Sequence, residues 1–97
     1  MVTKALLVRL EAQPGKENAV EDLLVWARLL VEKEPGTKPW LAVRFDASTF
    51  GIIDAFPDDE ARQAHLAGPV GQELKEKAEL FASPPQIVKL DVLAEKL

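Results

Sequence analysis

Apolar and polar positions alternate over residues 3–12, TKALLVRLEA, as they do in a half-buried strand. Pro14-Gly15 ends that run, and the period then changes. Over residues 16–33, Val20, Leu23, Leu24, Ala27, Leu30 and Val31 recur at helical spacing and form one stripe, which Pro35-Gly36 stops. Residues 39–46, PWLAVRFD, and 50–56, FGIIDAF, predict two further strands. The turn at Ala47-Ser48-Thr49 between them is short enough for a hairpin. Pro57-Asp58-Asp59-Glu60 predicts a helix start, with Asp58 as N-cap and acids on the positive end of the helix dipole. That helix runs through His65 and Leu66 to Gly68-Pro69. Pro69 opens a further helical piece whose stripe is Val70, Leu74, Ala78 and Phe81. Ser83-Pro84-Pro85 ends it, and residues 86–93, QIVKLDVL, form the last strand.

The order is β-α-β-β-α-β. It predicts an α+β, ferredoxin-like fold: one antiparallel sheet of strand order 4-1-3-2 with both helices on one face. Residues 1–97 form a single domain on this reading. No internal repeat or linker interrupts it.

Sorting strand residues by parity separates the two faces of the sheet. Leu6, Val8 and Leu10, Leu41, Val43 and Phe45, Ile53 and Ala55, and Val88, Leu90 and Val92 make a row without charge. This row is predicted to lie under the helices. The opposite row holds Leu7, Arg9, Trp40, Arg44, Phe50, Ile52, Asp54, Phe56, Ile87, Lys89 and Asp91. It is too apolar to face water. The expectation is a homodimer that covers it, with a partly polar cavity between two sheets.

Composition narrows the function. A net charge of −4 and the lack of any basic block are a poor match for nucleic acid. The absence of cysteine excludes disulfides, thiolate nucleophiles and Cys-ligated metals. No signal-peptide run opens the chain, and no segment approaches the roughly 20 apolar residues of a membrane span. A soluble cytoplasmic protein without nucleic-acid or membrane partners is expected.

Several residue groups together resemble the antibiotic biosynthesis monooxygenase (ABM-like) family of the dimeric α/β-barrel superfamily. These are Pro14-Gly15-Lys16 opening the first helix and Glu34-Pro35-Gly36-Thr37 closing it. Trp40 at the start of strand 2, the FGIIDAF strand, and the acidic turn leading from Asp59 to His65 complete the set. The resemblance covers essentially the whole chain. It implies a homodimer and a cofactor-free oxygenation, in which a phenolic or quinol-like molecule is deprotonated and its anion reacts with O₂. Relatives in the superfamily bind haem, which makes haem the alternative to having no cofactor.

Asp54 and His65 are the candidate catalytic pair. Asp54 is either a desolvated general base or the partner of Arg9 or Arg44, and the two readings move its pKa in opposite directions. The ion pair is favoured, because an unpaired buried charge is rarely tolerated. A three-residue hairpin loop sets Asp54 opposite Ala42 and diagonal to Arg44; a five-residue loop sets it opposite Trp40. His65 titrates near neutrality. It is a proton shuttle or haem ligand at the cavity mouth, or else a helix-terminal residue touching backbone carbonyls or the partner subunit. Arg9, Arg44 and Lys89 hold an anion or neutralise Asp54 and Asp91. Trp40, Phe50, Ile52 and Phe56 shape a site for a small aromatic molecule, or simply pack. A lone histidine is not a metal-ligand set, so no metal is expected.

Overall fold

In the computed structural model, which describes all 97 residues, the even-numbered side chains of the first strand set the packing. Leu6 and Leu10 are fully buried and Val8 nearly so. They lie in β1 (Lys4–Glu11), followed by α1 (Glu17–Val31), β2 (Trp40–Arg44) and β3 (Thr49–Phe56). After these come α2 (Asp59–Leu66), α3 (Pro69–Glu76), a 3₁₀ turn at Ala78–Leu80, and β4 (Gln86–Asp91). All neighbouring strands are antiparallel, in the order β2-β3-β1-β4. This is the ferredoxin-like order 4-1-3-2 read from the other edge. No helix is long and apolar enough to cross a membrane.

The α1 stripe behaves as its spacing predicts: Val20, Leu23, Leu24, Ala27 and Val31 are buried. They pack with Val8, Leu10, Phe50, Ile52, Val70 and Phe81 in one cluster. Burying a side chain of that size contributes about 1.5–3 kcal/mol. Asp58 caps α2, its carboxylate accepting the Ala61 N–H at 2.8 Å. α3 starts with Pro69 in its first turn and has its own buried anchor, Val70.

The hairpin has the longer of the two loops considered. Arg44 pairs with Phe50, leaving residues 45–49 as the connection, and Asp54 faces Trp40 across the ladder. Asp46 closes the turn by accepting the N–H groups of Ser48 at 3.1 Å and Thr49 at 2.9 Å. Those donors, the Ser48 N–H foremost, hold its carboxyl below the usual range.

The face assignment is correct for β1 and inverted for the other strands. In the register Leu6 faces Asp54, Val8 faces Ile52 and Leu10 faces Phe50. Directly opposed residues share a face, so Phe50, Ile52, Asp54 and Phe56 lie under the helices, all at most 3% exposed. Trp40 and Arg44 share that side through the hairpin, and Ile87 and Lys89 share it by facing Val8 and Leu6. The open face carries Arg9 together with Leu41, Phe45, Ile53, Val88 and Leu90, each of these five apolar side chains at least 39% exposed. The cause is compensation. Asp54 tolerates the interior because His65 reaches it there, so its charge did not mark the open side.

The α2–α3 corner depends on a missing Cβ. A methyl group at Gly71 would stand 2.6 Å from the Leu66 carbonyl oxygen, a backbone atom that cannot turn aside. Gly71→Ala is therefore expected to cost about 1–3 kcal/mol by the usual price of overpacking. A urea midpoint equal to that of the unsubstituted protein would show that the corner relaxes freely.

Candidate functional site

Three chain segments converge on His65. β3 contributes Asp54, between Ile52 and Phe56 in the helix-side row. α2 contributes His65 itself. That helix is pinned to the sheet by the buried Arg62, which donates to the carbonyls of Ala5 at 3.2 Å and Leu90 at 3.0 Å and pairs with Asp59 at 2.8 Å. His65 follows three residues later and so occupies the same helix face. The α1–β2 loop contributes Glu34 and Thr37. It extends the hairpin ladder, with Lys38 N–H donating to Ala55 O at 3.0 Å and Ala55 N–H to Pro39 O at 3.1 Å. Gly36 lets the loop press on α2, since a Cβ there would lie 3.2 Å from that of Ala61.

The imidazole is held between two carboxylates. Nδ1 donates to Glu34 Oε1 at 2.6 Å, and the Thr37 hydroxyl donates to the same oxygen at 3.0 Å. Nε2 stands 2.9 Å from Asp54 Oδ2, an ion-pair distance. The contact lies off the N–H axis, so neither buried oxygen of Asp54 accepts an aligned hydrogen bond. Phe56 packs on the ring at 5.3 Å between centroids. The side chains of Asp54, His65 and Glu34 are 0%, 7% and 20% exposed. Burial opposes a charge on His65, but the two carboxylates outweigh it and hold the pKa above the ordinary 6.5.

His65 forms part of the wall of a cavity of about 530 Å³ between the sheet and α2–α3. Leu6, Val8 and Ile52 make its floor, and Val70, Leu74 and Phe81 cover it. Lys75 is its one other charged lining residue. On the other side of Glu34 is a second, more polar opening of about 440 Å³ lined by Arg28, Glu34, Thr37, Lys38 and Trp40 among others. The first is of a size and polarity suited to a small apolar molecule.

The structure brings Asp54 and His65 together. It also places Ile52 in the cavity floor and Phe56 against the histidine. The other candidates lie elsewhere. Arg44 pairs with Glu21 of α1 and covers the Phe50 ring. Arg9 stacks on Phe45 at 4.9 Å on the open face. Neither reaches Asp54 as an ion-pair partner, and His65 takes that place. Trp40 borders the second opening, Phe50 joins the α1 core, and Lys89 is an exposed strand residue facing Leu6. The cavity lies beneath the helices and not on the open sheet face. Glu34 and Thr37 escaped notice as site residues. The Glu34-Pro35-Gly36-Thr37 segment was visible, but as a helix stop.

A crystal structure of a protein of unknown function from Nitrosomonas europaea superposes with a TM-score of 0.97 at 49% identity, covering 100% of this chain and 95% of that one. The chain belongs to one family with that protein. Its fold is the ABM-like fold. A putative antibiotic biosynthesis monooxygenase from N. europaea matches at 17% identity and a TM-score of 0.83, over 94% of this chain and 99% of that one. Another so named from Deinococcus radiodurans matches at 20% and 0.81, over 97% and 95%. No family model matches the chain, and no curated protein does. The ABM-like resemblance read from Pro14-Gly15-Lys16, the FGIIDAF strand and the turn leading to His65 thus holds at the level of the fold.

Within this ABM-like fold the histidine cluster makes stability depend on pH. A histidine whose folded pKa exceeds its unfolded value contributes stability that is complete below the unfolded value and lost as pH rises through the folded one. The urea midpoint is expected to fall as pH is raised above about 6.5, the unfolded imidazole value. His65→Gln should remove that slope. A midpoint with no such slope in the unsubstituted protein would show that the imidazolium is not held.

Proposed function

We propose that this chain is a cofactor-independent monooxygenase that binds a small aromatic, quinol-like molecule in the cavity beneath α2 and α3. The observation that carries the reading is His65, held by Glu34 and Asp54, in the wall of a mostly apolar cavity, on a fold shared with proteins named putative antibiotic biosynthesis monooxygenases. An apolar pocket binds an aromatic body, and the one ionisable cluster at its wall exchanges a proton with it. The chemistry then needs no external reductant. Loss of a proton from a ring hydroxyl or an activated CH₂ leaves an electron-rich anion. That anion reduces O₂; at a CH₂ centre the products are C=O and one water, with every atom accounted for. The apolar walls exclude bulk water from the anion.

Haem does not fit this cluster. Both ring nitrogens of His65 face carboxylates, so neither is free for iron. A second reading is favoured by the same geometry. A histidine with its pKa raised and both nitrogens beside carboxylates suits a non-catalytic ligand-binding protein equally well.

Oxygen uptake with a panel of anthrones and quinols separates the two. Under the enzyme reading at least one compound is consumed, and His65→Ala and Asp54→Asn each lower the rate roughly 10²-fold or more, the usual worth of a proton-transfer group. Tight binding of these compounds without uptake supports the binding protein.

We also propose that the open sheet face meets a second copy of the chain. Leu41, Phe45, Ile53, Val88 and Leu90 expose a contiguous apolar surface there, with few charges to keep it in water. Light scattering at micromolar concentration should give twice the 10.7 kDa chain mass. Ile53→Lys should return the chain to that single mass, and a monomeric parent protein would end this proposal.

A further inference from the structure

We propose that Glu34 is the proton outlet of His65: the imidazole exchanges its proton with solvent through Glu34 and the second opening, and not through the ligand cavity. This rests on the reading of His65 as the group that trades a proton with the ligand. Three observations lead to it. Of the two ring nitrogens of His65, Nδ1 is bonded to Glu34, while Nε2 stands 2.9 Å from Asp54 without an aligned hydrogen bond and is the one left to meet a ligand. Asp54 offers no exit, since its side chain is wholly buried. Glu34, at 20% exposed, is the one member of the cluster in reach of water.

The two oxygens of Glu34 also differ. Oε1 accepts from both His65 and Thr37. Oε2 is buried without a partner, as is the indole N–H of Trp40, and both residues line the second opening. An unpaired acceptor and an unpaired donor at one polar opening suit an ordered water that joins them. The charged groups around it are Arg28, Glu32 and Lys38, with Arg28 already paired to Glu32.

The step is a simple transfer. The Nδ1–H bond breaks, its electron pair stays on nitrogen, and an O–H bond forms on Glu34 Oε1. Rotation of the Glu34 carboxyl then carries that O–H to the second opening, where it gives its proton to water and the carboxylate is restored; the reverse sequence reloads the ring. The functional consequence is that His65 can be reset while a ligand still fills the cavity. Glu34 acts here through His65 as a positioning and relay residue.

The test needs no substrate. His65 is the only histidine, so its ring N–H signals are unambiguous in an NMR exchange measurement. Glu34→Gln keeps an acceptor but cannot take the proton. It should slow ring N–H exchange on the order of 10²-fold, the scale of a lost proton-transfer group. Leu74→Phe, which fills the ligand cavity, should leave exchange at the unsubstituted rate. In Glu34→Ala, added acetate should restore exchange by entering the vacated space. Unchanged exchange in Glu34→Gln, or a loss in Leu74→Phe equal to that expected of Glu34→Gln, would overturn the outlet. If no quinol or anthrone is turned over, the oxygenase reading fails while these rates still decide the outlet.

Discussion

The ion pair and hydrogen bond that hold His65 between Asp54 and Glu34 join three parts of the fold that share no sequence neighbourhood. Asp54 belongs to the inner strand β3, His65 to the last turn of α2, and Glu34 to the loop leaving α1. A carboxylate wholly removed from water carries a large desolvation penalty unless an opposite charge is close. Asp54 therefore requires α2 to sit where His65 can reach it. In turn, α2 requires the buried Arg62, which satisfies the carbonyls of Ala5 and Leu90 at the β1–β4 side of the sheet. A buried guanidinium and a buried imidazole on one short helix thus fix its position above the strands.

That placement also creates the cavity. The chain breaks at Gly68-Pro69 directly after His65, and α3 departs over Leu6, Val8 and Ile52. Gly71 allows α3 to press against the end of α2 at Leu66. The α1 stripe fills the other half of the same sheet face with its own side chains. Core and cavity adjoin on that face, since Val8, Ile52, Val70 and Phe81 belong to the α1 cluster and also line the roofed space, with His65 in its wall.

The element order was legible because each element has its own period and its own punctuation. Pro14-Gly15, Pro35-Gly36, Pro57 and Gly68-Pro69 each stand where one element ends or the next begins. The strand faces were harder to read. In β1 only the even positions are consistently apolar, so its buried side is unambiguous. In β2 and β3 both rows are apolar, and charge was the remaining guide. A one-residue slip in pairing moves every side chain to the other face, and charge pointed to the wrong choice. Asp54 looked like an open-face residue because its partner His65, 11 positions on in the chain, could not be placed beside it from the sequence. The same gap hid Glu34, whose role as a helix-stop residue was visible and whose contact with His65 was not.

The inversion bears on the dimer argument in an unexpected way. Exchanging the two rows of β2, β3 and β4 moves Trp40, Phe50, Ile52 and Phe56 inside, yet the row that replaces them is also apolar, with Leu41, Phe45, Ile53, Val88 and Leu90. A sheet covered on one side only should show polar residues on the other. Here neither assignment of the faces gives a polar outer row. The case for a covering partner therefore never depended on which row was inside, only on both being apolar. What the structure changes is the content of that surface. Asp54, Arg44 and Lys89 have left it, and Arg9, stacked on Phe45, is a cation it keeps. Any contact between two sheets is then a matter of packing, and the histidine cluster belongs to each chain beneath its own helices.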